Sequence, residues 1–325
     1  VTNDFSPLPH PWDQLLCARL REEVHPFNEP ERFRALNQAY DGRNTFWSVP
    51  SPEPDLSDSF WENLTHHVKT ADPVADAAGR LAAAILEKYP DPNRLAFAAI
   101  LRAGVPVADW LQKLLPGSVG AAISLFVGIG VDRVGLAEFQ NRHPDRTLIF
   151  VDGWTGKGGV ADELKRLGLG PLAVLIDPWG CADFTGIETD LFCPSACFTG
   201  PATLGFSRTF FTTESEPFSA YRFPASFLRP EVIAAWRDRA PATPTAPPER
   251  AGRFSVATDL RVHSNEVCRA LINAAPRELL FAESPADARE HFELLLELAD
   301  ARRVPVAFDR RDLADLRTRV AAVMK

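Results

Sequence analysis

Apolar and polar positions follow two different periods along the chain. Ala75, Ala78, Leu81, Ala82, Ile85 and Leu86 recur at helical spacing, and the stretch 59–89 reads as helical. From position 95 onward, short apolar runs alternate with amphipathic ones. The runs 95–101, 121–127, 147–151 and 172–176 predict strands, and 105–115, 133–142 and 160–167 predict the helices between them. Near-continuous apolar strands separated by helices predict an α/β fold, a mostly parallel sheet flanked by helices. In such a sheet, ligands gather at the carboxyl ends of the strands. The first 58 residues are rich in proline and aromatics and read as irregular, with one helix expected over 12–24. Segment 178–227 is aromatic and Gly-rich and shows no clear period.

A proline-rich stretch, APATPTAPPERAGR at 240–253, lacks apolar periodicity and predicts an extended linker. It divides the chain into a large unit, 1–239, and a small one, 254–325. The small unit predicts a helix at 265–274, a strand at 278–282, a helix at 285–302, a strand at 304–308 and a helix at 310–323. This is a second, smaller α/β domain.

The chain has 325 residues and is 46% hydrophobic, enough for a packed core. Its net charge of −8 argues against coating nucleic acid or anionic membrane through bulk charge. No apolar run reaches membrane-spanning length and no basic-then-apolar leader is present, so a cytoplasmic protein with no membrane partner is expected. The five cysteines, Cys17, Cys181, Cys193, Cys197 and Cys268, are odd in number and irregularly spaced, against a disulfide framework. Cys193 and Cys197 lack the neighbours of a zinc site, and no metal ligands are assigned from the protein.

Two turns carry candidate chemistry. In TLIFVDGWTGKGG (147–159), a strand ends in Asp152 and a glycine-rich turn leads into a helix. Such a turn lets backbone amides converge on a phosphate at the positive helix end. Gly153, Gly156, Gly158 and Gly159 clear the approach, Thr155 adds a hydroxyl, Lys157 a cation, and Asp152 an acceptor for a sugar diol. The mononucleotide P-loop is excluded, because Val151 and Gly158 stand where that motif needs glycine and a hydroxyl residue. The second turn, ILRAGVP at 100–106, places Arg102 with Ala103 and Gly104 at another strand end, suited to multidentate anion binding.

The pair resembles the phosphoribosyltransferase arrangement, although Gly153 stands where the usual loop has a second acid. The segments AISLFVGIGVD (122–132), FVDGWTGKGG (150–159), LIDPWG (175–180), ETDLFCPSACF (188–198) and GFSRTF (205–210) resemble a bacterial family linked to tellurite-resistance gene clusters. That family has been called phosphoribosyltransferase-like and, on other grounds, cysteine protease StiP. VHSNEVCRALINAAPRELLF (262–281) with ADARRVPVAF (299–308) resembles the pelota-like, L7Ae-related module that accompanies it. The resemblance implies a stress-response transferase, a glycosyltransferase that binds PRPP or a related ribose-phosphate with Mg²⁺. Arg102, Ala103 and Gly104 would hold pyrophosphate, Asp152 and Gly153 the ribose, and Thr155, Gly156, Lys157, Gly158 and Gly159 the 5′-phosphate. Asp177 would face the acceptor. Asp132 would lie on the acceptor side or cap a helix. The C-terminal module would bind RNA, through arginines such as Arg261, Arg269 and Arg302 if they share a face. Two alternatives stay open. One is a non-catalytic nucleotide- or RNA-binding regulator. The other is a cysteine hydrolase, in which Cys181, Cys193 or Cys197 would need a base such as His66, His67 or His143.

Overall fold

The structure is a computed structural model that describes residues 12–324 except 37, 39, 41 and 42. The start of the expected N-terminal extension therefore lies outside the described residues. In chain order the large unit runs β1 (Leu15–Cys17), β2 (Arg19–Glu23), α1 (Asn44–Trp47), α2 (Asp58–Lys69), α3 (Asp72–Lys88), β3 (Leu95–Ile100), α4 (Gly104–Leu114) and β4 (Val119–Ile123). It continues with β5 (Leu125–Phe126), β6 (Gly130–Val131), α5 (Arg133–Arg142), β7 (Thr147–Trp154), α6 (Gly159–Arg166), β8 (Leu172–Ile176), β9 (Phe184–Ile187), β10 (Ser219–Arg222) and α7 (Pro230–Asp238). The remainder is β11 (Arg261–Val262), α8 (Ser264–Asn273), β12 (Glu278–Phe281), α9 (Pro285–Ala301), β13 (Val306–Ala307) and β14 (Val320–Val323).

The central sheet has six strands in the order β1-β4-β3-β7-β8-β9. All its pairings are parallel. Side chains of β3 show why this sheet must be covered twice. Leu95, Phe97 and Ala99 pack into the core shared with α2, α3, α4 and α7, while Ala96, Ala98 and Ile100 pack into the core under α5 and α6. Period two with both faces apolar leaves no face for water. On the first face, Trp110 of α4 and Trp236 of α7 stack with centroids 3.9 Å apart. Each indole donates to a backbone carbonyl on the other's side, Trp110 to Trp236 and Trp236 to Pro106. Such reciprocal bonds allow indole N–H groups to be fully buried.

Two expectations are corrected and two segments are resolved further. The apolar stretch 59–89 is two helices, because Pro73 cannot continue α2 and instead starts α3, where its missing N–H is harmless. The helix expected over 12–24 is two strands. Leu15, Leu16 and Cys17 pair with Ala121, Ala122 and Ile123 at the sheet edge, and β2 pairs with β10. The helix expected over 310–323 is a short 3-10 turn, Arg311–Leu316, followed by β14. Arg317 turns the chain through a left-handed conformation, and buried Val-Ala-Ala-Val pairs antiparallel with β11 and β12. The segment 178–227, which showed no period, holds β9, tight turns and β10.

Residues 240–253 form an extended strap. The Thr245 amide donates to Gly79 O, and Arg250 reaches the carbonyls of Ala182 and Asp183 and the carboxylate of Glu188. Beyond the strap lies the smaller sheet, β11-β14-β12-β13. Its helix α8 contributes Val267, Cys268, Leu271 and Ile272 to the same core cluster as Trp110 and Trp236. Asp190, beyond β9, accepts hydrogen bonds from Ser264 at the start of α8 and from Thr318 and the Arg319 amide before β14. The chain is thus mixed α/β, with a parallel central sheet flanked by helices and a smaller sheet unit. Among the described residues, no helix is long and apolar enough to cross a membrane.

Candidate active site

Because β3, β7 and β8 are parallel neighbours, Arg102, Asp152 and Asp177 all emerge at one edge of the sheet. Asp152 is the last acid before the glycine-rich turn. Burial pushes its carboxyl up to about 7, against the amide of Gly153 that donates to it at 2.8 Å. Glu266 pushes it further up and Arg269 pulls it down. Arg102 is 8% exposed, pairs with Glu53 and approaches Asn273 Oδ1 at 3.4 Å. Asp177 is fully buried. Its Oδ2 accepts the Ala182 amide at 2.7 Å, its Oδ1 has no partner, and burial raises its pKa.

The turn itself is not an open cradle. Thr155, Gly156 and Gly158 are buried, and a Cβ on Gly156 would lie 3.1 Å from Glu266 Cγ and 3.3 Å from Val262 O. The C-terminal unit therefore packs against the turn at Gly156. Lys157 is exposed and donates to Thr258 O at 2.8 Å. Gly104 and Gly153 serve packing: a Cβ on Gly104 would meet Val151 O at 2.1 Å, and one on Gly153 would meet Ala103 O at 3.3 Å. Gly159 is exposed and begins α6. Asp132 caps α5 through the Gly135 amide and also accepts the Phe218 amide, so its oxygens are committed to structure. Among the described residues no group of three or more His, Cys, Asp or Glu could hold a metal ion.

The cysteines divide sharply. Cys17, Cys193, Cys197 and Cys268 are buried, and Cys181 alone is half-buried. Cys181 follows β8 and faces the start of α6. Its thiol lies 3.9 Å from Gly156 O and 3.8 Å from Trp179 O, and a Cβ on Gly158 would stand 2.9 Å from its Sγ. The first amides of α6 have no partner within the helix, and Gly158, which precedes it, lies against the thiol. Burial pushes the thiol up to about 11, Asp177 adds to the rise and Arg253 opposes it. Among the described residues no histidine hydrogen-bonds a cysteine. His67 meets Glu293, His143 packs edge-on to Phe139, and His263 Nδ1 accepts the Asn265 amide beside Asp190.

Glu53 and Arg208, near the strand ends, gave no signal in the sequence, and Arg269 was expected only as an RNA-facing residue. Glu53 sits in a Ser-Pro-Glu-Pro run, Arg208 follows a π-turn, and Arg269 projects from α8 toward Ala196 O and Phe198 O. Their chain positions lie far from the glycine-rich turn, and only the docking of the C-terminal unit assembles them. Of the other arginines expected to share an RNA-facing surface, Arg261 pairs with Glu266 and Arg310 with Asp312, while Arg302 caps α8 at the Leu271 and Ile272 carbonyls.

A parallel α/β sheet with one accessible thiol at its carboxyl edge, next to a helix start, defines a thiol-bearing α/β protein. The chain belongs to the family described as tellurite-like stress resistance cysteine protease StiP, whose model matches residues 32–229. It is 33% identical over 136 residues to a protein named cysteine protease StiP from Acinetobacter baylyi, across 38% of this chain and 35% of that protein. The match thus spans about a third of the length of this curated relative. No solved structure matches the chain. These findings overturn the expectation of a phosphoribosyltransferase, and with it the transferase, glycosyltransferase and PRPP-binding assignments, since family and relative alike are named as a cysteine protease. The comparisons lend no support to the pelota-like assignment, and the family match ends before residues 254–325.

Proposed function

We propose that this chain is a cysteine hydrolase of stress resistance in which Cys181 is the nucleophile. The observation that carries the reading is position: Cys181 is the accessible thiol of the five, lies within the family-matched segment, and adjoins the unpartnered amides at the start of α6. A thiolate there attacks the carbonyl carbon of a peptide or ester. The developing oxyanion meets backbone amides of α6, which stabilise charge as it forms. The acyl group passes to sulfur, the leaving group departs with a proton, and water then cleaves the thioester. Without a histidine partner, the thiol proton goes to Asp177, whose Oδ1 is unpartnered and whose charge is felt at the sulfur. The raised thiol pKa makes this a slow nucleophile near neutrality, with a rate that climbs as the medium becomes alkaline.

Hydrolysis of a fluorogenic casein and of a panel of peptide esters is the test, with and without iodoacetamide. Mass spectrometry should find Cys181 alkylated first, at a rate rising about tenfold for each pH unit between 7 and 10. Cys181→Ser should abolish turnover while leaving the melting temperature unchanged. Turnover that survives Cys181→Ser, or alkylation that lands first on another cysteine, sinks the assignment.

A further inference from the structure

We propose that Arg34, Arg102, Arg208 and Arg269 form a binding site for a multiply charged oxyanion. They come from four separate parts of the chain: a loop near the N-terminus, the end of β3, the turn before β10 and the helix α8. Glu53 is the acid that sits among them, paired with Arg102. Arg208 makes no hydrogen bond or ion pair to any described residue. Its guanidinium instead lies over Trp47 and Phe126, 5.3 and 5.5 Å from the ring centres. Arg34 lies over Phe46 at 4.2 Å. Arg269 spends one nitrogen on two carbonyls. Burial and then the charges of Arg102, Arg34 and Arg269 push Arg208 down to about 9, so the group stays charged near neutrality and is crowded by like charges.

Among the described residues, four cations set against only Glu53 and Asp152 leave positive charge in excess, which destabilises a fold unless an anion joins them. Stacked guanidinium groups keep their in-plane N–H donors free, and those donors match the paired oxygens of an oxyanion. Arg102 and Arg269 line one small, partly open cavity of about 10 Å³, which an anion would have to widen. Tetrahedral oxyanions of the phosphate type and polycarboxylates satisfy this chemistry equally. The site is separate from the covered turn at Gly156 and does not rest on the hydrolase reading.

The test uses the full chain, by calorimetry and thermal unfolding, with sulfate, phosphate and citrate each titrated to low millimolar against sodium chloride of equal ionic strength. Excluded salts stabilise proteins only gradually at high concentration, so a specific site shows as saturation at low concentration. Saturable binding of sulfate and phosphate identifies the tetrahedral class, and saturation by citrate alone identifies a polycarboxylate. Arg208→Gln should weaken that binding by about tenfold or more, the loss of one charge-assisted contact. In chloride alone the variant should melt no lower than wild type, because a repelling charge has gone. Arg34→Gln is read in the same way should Arg208→Gln not fold. The absence of saturation by all three anions, or undiminished binding in the folded variant, overturns the proposal.

Discussion

Replacing Asp190 with alanine measures how firmly the C-terminal unit is fastened. The Asp190 side chain is 2% exposed. Its carboxylate accepts from the Ser264 amide at 3.0 Å, the Ser264 hydroxyl at 2.6 Å, the Thr318 hydroxyl at 3.0 Å and the Arg319 amide at 2.7 Å. Burial raises its carboxyl, but nearby His263, the Ser264 hydroxyl and the amides of Arg319 and Ser264 outweigh it and hold it below the ordinary value. Every hydrogen-bond donor comes from beyond the strap, so one side chain ties the smaller sheet to the larger body. In the alanine variant Thr318 keeps its bond to Val320 O, while both amides and the Ser264 hydroxyl lose their acceptor. At on the order of 1 kcal/mol for each stripped donor, the loss is about 3 kcal/mol. Urea unfolding reads the total. Hydrogen exchange locates it, with amides of β11 and β14 exchanging about a hundredfold faster. A loss under about 1 kcal/mol with unchanged exchange would refute the reasoning and assign the fastening to the apolar face of α8.

Gly104→Ala should lower stability in urea by about 1–3 kcal/mol, because its Cβ would meet backbone, Val151 O at 2.1 Å, with no flexible side chain to yield. An unchanged midpoint would mean that α4 does not approach β7 so closely. Asp152→Asn should flatten the stability profile between pH 4 and pH 8. The carboxyl ionises near 3.8 when unperturbed and near 7 in the fold, so its contribution is full below the first value and is lost as the pH rises through the second. Parallel profiles for variant and wild type would show that the group is not desolvated.

The sheet was legible where a strand is buried on both faces. Leu95–Ile100 and Leu172–Ile176 are continuous apolar runs, and their carboxyl ends placed Arg102, Asp152 and Asp177 at one edge. The short strands β1 and β14 were not legible. Three or four apolar residues fit a helix as readily as a strand, and only the partners at Ala121–Ile123 and Glu278–Phe281 decide between them. The glycine-rich turn was read correctly as a turn into a helix, yet its glycines admit Glu266 and Val262 of the same chain. Local sequence cannot distinguish room made for a ligand from room made for the chain itself. Glu53 and Arg208 escaped notice for a related reason, since each sits alone in its own stretch, and Arg269 was read only as an RNA contact.

The earliest strands in the chain have late partners. Leu15 lies beside Ala121, and Arg19 lies beside Ser219, separations of about a hundred and about two hundred residues. Among the described residues, neither strand pairs with a segment close to it in sequence. The loop closures that place them reward the chain only after β4 and β10 exist. During translation the N-terminal stretch, with Leu16 and Trp12 destined for the core, must wait exposed until most of the protein has left the ribosome. Its assembly is therefore the step at which this fold is most open to chaperone capture and to aggregation, and a nascent chain arrested before β10 should hold its parallel core while β2 is still unpaired.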